Sequence, residues 1–120
     1  MQIEDLIDLS DDEKYHVAEK AFIGDGCEQD RGLSVRIFAI LAEKGYSKAQ
    51  CKLGYLYEHG EGIAKNHKAA ALWYKQAANS GNAEAMFRLG NCYLCGYGVE
   101  MDRDTATYWF SRAAELGYER

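Results

Sequence analysis

The sequence contains no proline and no long apolar run among its 120 residues. The lack of proline suits helices that are joined by glycine-containing turns. No apolar run approaches the ~18 residues of a membrane span, so we expect no contact with a membrane. The first residues, Met-Gln-Ile-Glu-Asp-Leu, are acidic where a secretion signal would be basic, which argues against a signal peptide. The length, with 48% hydrophobic and 28% charged residues, therefore indicates one soluble domain.

Cysteine is too sparse and too scattered to define a metal site or a repeated disulfide framework. The four cysteines are Cys27, Cys51, Cys92 and Cys95. The last two form a Cys-x2-Cys pair, which resembles half of a zinc site, but no second Cys-x2-Cys or His-x3-His accompanies it. We therefore expect free thiols in the reducing environment of the cytoplasm, with no metal and no cofactor.

Residues of the catalytic types also lack the company that catalysis needs. The three histidines have no neighbouring nucleophile and orienting acid in a recognisable local motif. The Gly-x-Gly pairs lack the third glycine, the strand and the Lys-Ser/Thr of phosphate-binding loops. We predict no catalytic residues and no enzyme activity.

Charge is unevenly distributed, although the net charge is only −5. Residues 1–30 carry ten acidic residues against two lysines, and residues 44–75 carry six lysines against two glutamates. The acidic balance argues against nucleic-acid binding, which uses a clustered basic surface. Two interpretations of the acidic N-terminal part stay open, namely a solvated cap and a surface that steers a basic partner.

The strongest pattern is an internal repeat, because residues 49–81 are written again thirty-six residues later as residues 85–117. The two stretches share eleven identities in thirty-three positions without a gap. Each reads as a helix that contains an internal glycine (Gly54, Gly90), a Gly-x-Gly turn and a second helix with a conspicuous tryptophan. Glycine inside a helix costs roughly 1 kcal/mol relative to alanine, so we expect a second helix to cross there at close range. We also expect Trp73 and Trp109 to be largely buried.

These fixed positions resemble the Sel1-like repeat, a relative of the tetratricopeptide repeat. The shared run is Ala-x3-Leu-Gly-x2-Tyr-x2-Gly-x-Gly-Val/Ile-x2-Asp/Asn-x3-Ala-x2-Trp-Tyr/Phe-x2-Ala-Ala-x2-Gly. A degenerate first unit fits more loosely, with Ile37 in the tryptophan position. The resemblance implies an all-α, right-handed superhelix of three helical hairpins. We predict a cap helix in 1–10, a degenerate repeat in 11–46 and two repeats in 47–82 and 83–118, with helices near residues 2–9, 11–23, 31–44, 47–59, 67–80, 83–95 and 103–116.

The resemblance also implies where a partner binds, because the first helix of each tetratricopeptide-like hairpin lines the concave side of the superhelix. We predict that this side binds another protein through an apolar groove with charged edges. The predicted partner-binding residues are Tyr15, Glu19, Phe22, Lys52, Tyr55, Glu58, His59, Phe87, Arg88 and Asn91. The same face carries Asp12, His16, Ile23, Lys48, Cys51, Glu84, Leu94 and Cys95. Packing of some of these rings between neighbouring helices is the alternative.

Three functions follow from the resemblance. The first is a non-enzymatic adaptor or scaffold that binds a partner segment. The second is an immunity protein that inhibits a cognate toxin. The third, an enzyme like the penicillin-binding activity suggested for some secreted relatives, is disfavoured because the inter-helix disulfides of those relatives are missing. The outer side of the last hairpin, which carries Tyr108, is expected to be either exposed or used in self-association.

Overall fold

The structure, a computed structural model, describes residues 3–24 and 29–118. Within these ranges the chain forms six α-helices and no strand, which confirms the predicted all-α fold. The helices are α1 (Asp11–Ile23), α2 (Arg31–Glu43), α3 (Ser47–His59), α4 (His67–Asn79), α5 (Ala83–Cys95) and α6 (Arg103–Glu115). Every end of these six helices lies within one residue of the predicted position. The predictions that concern Gln2, Gly26 and Cys27 fall outside the described residues.

The predicted cap helix over residues 2–9 is shorter in the structure. The structure has a single 3-10 turn, Ile3–Leu6, in its place. Leu6 is buried, whereas Ile7 is 78% exposed. A segment this short cannot offset the cost of nucleating an α-helix, and the cap of α1 at Ser10 stops it from extending.

Short polar side chains begin most of the helices. Ser10 and Glu13 form a capping box, in which each side chain accepts a hydrogen bond from the other residue's backbone N–H. Asn66 and Asp102 are the N-caps of α4 and α6 and accept from backbone N–H groups of the first turn. Asp30 caps α2 in the same way.

The Gly-x-Gly turns end the first helix of a hairpin and also contact the preceding hairpin. Gly60 and Gly96 end α3 and α5 in the left-handed conformation, with φ of 67° and 73°. The second glycine of the last turn, Gly98, has φ of 74° and lies so close to α4 that a Cβ there would be 2.1 Å from the carbonyl oxygen of His67. The turn therefore requires glycine for both its conformation and its packing.

The helices stack in chain order, because the principal contacts join each helix to the next along the chain. This arrangement is typical of a repeat solenoid, in which each unit contacts its neighbours. The stack measures 45 × 27 × 23 Å and has two apolar clusters, one within α1–α3 and one within α3–α6. None of the described helices is long and apolar enough to cross a membrane.

Trp73 and Trp109 are partly buried, Trp73 against the first apolar cluster and Trp109 against the second. The ring at the centre of the core is the next residue in the first two units, since Phe38 and Tyr74 are both 0% exposed, whereas the corresponding Phe110 is half-buried. One residue turns the direction of a helical side chain by about 100°, so the tryptophans lie at the margin of the core. The close helix crossing predicted at Gly54 and Gly90 is confirmed.

Candidate functional site: a groove along the first helices

The first helices of the three hairpins enclose an open groove of about 1020 Å³. The whole length of α1 forms one wall, the first two turns of α3 form the floor, and the start of α5 forms the other wall. Within one helix the lining residues recur every three or four positions, in places as adjacent pairs, which is the spacing of a single helix face. The lining consists of Asp12, Tyr15, His16, Glu19, Phe22, Ile23, Tyr46, Lys48, Cys51, Lys52, Tyr55, Glu61, Asn82, Ala83, Glu84 and Arg88.

Cations and aromatic rings alternate along one end of the groove. The guanidinium of Arg31 lies 4.6 Å from the ring centroid of Phe22. The ammonium of Lys52 is 5.5 Å from that ring and 5.5 Å from the ring of Tyr55. The guanidinium of Arg88 lies 4.8 Å from the ring centroid of Tyr55. All four distances are within the range of cation–π attraction, so the series holds charged and apolar groups side by side at the surface.

The groove's carboxylates mostly have donors of their own. The hydroxyl of Tyr46 donates to Asp12, and this hydrogen bond is the main reason that the pKa of Tyr46 rises to about 12. Arg88 donates to Glu84 across 2.8 Å. Glu19 lies 3.4 Å from the imidazole of His16 and can pair with it when the imidazole is protonated.

Six of the ten predicted partner-binding residues come together in this groove. They are Tyr15, Glu19, Phe22, Lys52, Tyr55 and Arg88. Tyr15 and Tyr55 are half-buried, which leaves part of each ring open to a ligand. Phe22 is only 7% exposed, because Arg31 and Lys52 lie against its ring and the side chain belongs to the first apolar cluster.

The other four predicted residues lie outside the groove. Glu58 accepts a 2.6 Å hydrogen bond from the buried hydroxyl of Tyr74 and so points toward α4. The exposed ring of His59 packs against Tyr55 at 4.3 Å. Phe87 contacts the rings of Phe110 and Tyr118 and does not line the groove. Asn91 is half-buried and is not part of the lining.

The structure adds groove residues that the repeat pattern did not indicate. They are Tyr46, Glu61, Asn82 and Ala83, with Arg31 at the margin. All five lie in connections or at helix starts, where a helical period gives no direction for the side chain. Tyr46 had one detectable signal, since it is a tyrosine next to the start of α3 with no side-chain capping role.

The described cysteines are free thiols, and they are not arranged as a metal site. Burial raises the pKa values of Cys51 and Cys92 to about 12, so both are protonated at neutral pH. Cys95 is exposed. Among residues 3–24 and 29–118 no three cysteine, histidine or acidic side chains come together as metal ligands. Location in the cytoplasm stays a prediction.

These features define a class, a helical-hairpin solenoid with a ligand-sized groove. The family model described as Sel1 repeat matches residues 15–46, 47–82 and 83–118. The chain therefore belongs to the Sel1 repeat family, and the resemblance drawn from the sequence is confirmed. Sel1 repeats generally mediate protein–protein interaction as non-catalytic scaffolds.

Solved structures share this fold over nearly the whole chain. A protective antigen present in uropathogenic Escherichia coli strains, described as displaying an SLR fold, has a TM-score of 0.90 and 31% identity over 98% of this chain. A Sel1 repeat protein from Oxalobacter formigenes has a TM-score of 0.86 and 33% identity, with 98% of this chain and 93% of that chain covered. Cysteine rich protein B of Helicobacter pylori, at 21% identity and a TM-score of 0.76 over 97% of this chain and 89% of that chain, shows the fold alone.

Among curated proteins, the chain is similar to the chitin synthase regulator SKT5 of Saccharomyces cerevisiae. The two are 41% identical over 61 residues, which is 51% of this chain and 8% of that protein. The chain also spans only 26% of the E. coli antigen. These much longer relatives therefore contain extensive regions that have no counterpart in this chain.

Proposed function

We propose that this chain is a non-enzymatic adaptor whose groove holds an extended or helical segment of one partner protein. The observation that carries the proposal is the groove of about 1020 Å³ with half-buried tyrosines on its wall and floor. Tyrosine is enriched at the centres of protein interfaces because it combines a large apolar ring with a polar tip. A charged margin around such rings resembles the polar rim of an interface.

The dimensions of the groove suit a short peptide segment. Its wall runs along α1 from Asp12 to Ile23, a distance of about 16 Å at the rise of an α-helix. About five residues of extended chain cover that length. On binding to a rigid groove of this kind, the partner segment becomes ordered and the groove changes little. The similarity to a protein named as a regulator is compatible with an adaptor role.

Binding through the groove is tested by comparing two tyrosines. Tyr55 lies on the groove floor against Arg88, and Tyr108 lies on α6 outside the groove, 51% exposed and 5.7 Å from Arg112. Immobilised wild type, Tyr55→Ala and Tyr108→Ala are incubated with lysate, and the affinities of the captured proteins are then measured. We expect Tyr55→Ala to weaken capture roughly thirtyfold and Tyr108→Ala to leave it unchanged.

Two results contradict the proposal. One is equal capture by wild type and by Tyr55→Ala, which would place the interface elsewhere. The other is loss of capture by Tyr108→Ala alone, which would place it on α6. Circular dichroism of both variants is the control for folding, and each should keep its helical signal.

Self-association through the last hairpin stays a separate prediction. Tyr108 and Leu116 leave 51% and 56% of their surface open there. Light scattering across a concentration series tests it, and a constant monomer mass would rule it out.

A further inference from the structure

Lys52 lies on the groove floor without a carboxylate partner. Its ammonium contacts the ring faces of Phe22 and Tyr55, each at 5.5 Å. Neither this lysine nor Lys48, one helical turn earlier, forms an ion pair with any residue of the described ranges. The third cation of the lining, Arg88, forms an ion pair with Glu84.

The ammonium of Lys52 restricts what can fill the groove. The side chain is already half-buried, so a segment that covers the floor removes more water from the ammonium. Burial of a charge is unfavourable unless the charge is paired. Contact with two ring faces compensates for only part of that loss. A well-fitting segment therefore has to supply an anion at this position.

The lining carboxylates leave Lys48 and Lys52 unpaired. Asp12 and Glu84 accept hydrogen bonds from Tyr46 and Arg88, and Glu19 pairs with His16 only when the imidazole is protonated. The side chain of Glu61 has no hydrogen-bond or ion-pair partner among the described residues. The two unpaired ammonium groups lie one helical turn apart on α3, so an anion of the partner at this position can pair with them.

We propose that the groove binds an acidic internal segment of its partner, with an aspartate or glutamate carboxylate on Lys52. An apolar side chain next to that carboxylate packs on the open part of the Tyr55 ring. This inference rests on the proposed function of the groove and specifies the charge of the segment that it takes.

A selection experiment tests the charge without knowledge of the partner. Phage-displayed random peptides of twelve residues, which present no free C-terminus, are selected on immobilised wild type, Lys52→Glu and Lys75→Glu. Lys75 is exposed on α4 outside the groove, so its variant has the same change in net charge. We expect wild type and Lys75→Glu to select peptides rich in aspartate and glutamate. An amidated synthetic copy should bind Lys52→Glu at least about tenfold more weakly than wild type.

Exchanging the charges of the peptide and of residue 52 tests whether the two groups contact each other. Replacing the critical carboxylate of the selected peptide with lysine should weaken its binding to wild type and restore binding to Lys52→Glu. Neutral or basic peptides that bind wild type and are lost from Tyr55→Ala would overturn the acidic inference and leave the proposed function intact. Failure to select any peptide that Tyr55→Ala loses would contradict the proposed function itself.

A second copy of this chain is the competing source of an acidic segment, because residues 1–30 carry ten acidic residues. Light scattering of wild type and Lys52→Glu tests it. A wild-type dimer that becomes monomeric in Lys52→Glu would overturn the assignment to a partner protein, and a monomer in both supports it.

Discussion

The ring of Tyr74 covers Gly54 so closely that a Cβ on the glycine would lie 2.7 Å from Cδ1 of the tyrosine. Gly90 has the same relationship to Phe110, also at 2.7 Å. The two helices of each hairpin therefore meet at a position that has no side chain on one helix and a ring on the other. This contact explains why a residue unfavourable to helices recurs at the same place in both units.

Gly54→Ala should destabilise the protein although alanine is the better helix former. The gain in helix propensity is about 1 kcal/mol, and overpacking a fitted core costs roughly 1–3 kcal/mol. We expect a net loss of about 1 kcal/mol in the free energy of unfolding, measured by urea titration. Gly32→Ala is the control, because the nearest atom to its Cβ would be 3.6 Å away, and it should stabilise the protein. Stabilisation by both variants would show that Tyr74 moves aside freely.

Tyr74 and Trp73 are adjacent in sequence but should differ in their effect on stability. Tyr74 is fully buried and its hydroxyl donates to Glu58, so Tyr74→Ala should cost roughly 3–5 kcal/mol. Trp73 lies at the margin of the core, so Trp73→Ala should cost less than Tyr74→Ala. Thermal unfolding followed by circular dichroism checks the order. A larger loss of stability in Trp73→Ala than in Tyr74→Ala would show that Trp73 contributes more to the core than Tyr74 does.

The sequence predicts the six α-helices well because the residues that begin and end a helix occur at the same positions in two repeats. Asn66 and Asp102 occupy the same cap position, and Gly60 and Gly96 the same helix end, so one unit checks the other. The N-terminal turn has no such second copy, and its predicted helix proved too long.

The groove was predicted only in part, for a geometric reason. A helical period gives the face on which Tyr15 and Lys52 lie, but it does not show how far along the stack the groove extends. Packing decides that extent: Phe87 turns to Phe110, and the loop residue Tyr46 reaches Asp12. Neither contact follows from the spacing of residues within one unit.

Alkaline pH should destabilise the fold through its buried thiols. Burial raises the pKa values of Cys51 and Cys92 from 9.0 to about 12, so the folded state binds more protons than the unfolded state above pH 9. Their contribution is complete below about pH 9 and is lost as the pH rises toward 12. We expect the free energy of unfolding to fall by roughly 1 kcal/mol or more between pH 8 and pH 10.5.

The double variant Cys51→Ala, Cys92→Ala separates the thiols from other alkaline effects. Tyr74, whose pKa is raised by burial and by its bond to Glu58, keeps its own alkaline effect in this variant, because its phenol ionises first in the unfolded state. Urea titrations at both pH values should therefore show a smaller loss than in wild type, and not its disappearance. An equal loss in the two proteins would mean that the thiols ionise without unfolding.

Tyr55 and Phe22 should behave differently although both belong to the groove. Phe22 is 7% exposed and packs in the cluster of α1, α2 and α3, so Phe22→Ala should cost roughly 3–5 kcal/mol and cannot report on binding alone. Tyr55 is half-buried against His59, Lys52 and Arg88, all with access to solvent. Tyr55→Ala should therefore cost about 1 kcal/mol. In a urea titration it should still show its helical signal at the urea concentration that unfolds half of Phe22→Ala. If Tyr55→Ala unfolds as readily as Phe22→Ala, its ring belongs to the core and the groove has no open aromatic floor for a partner.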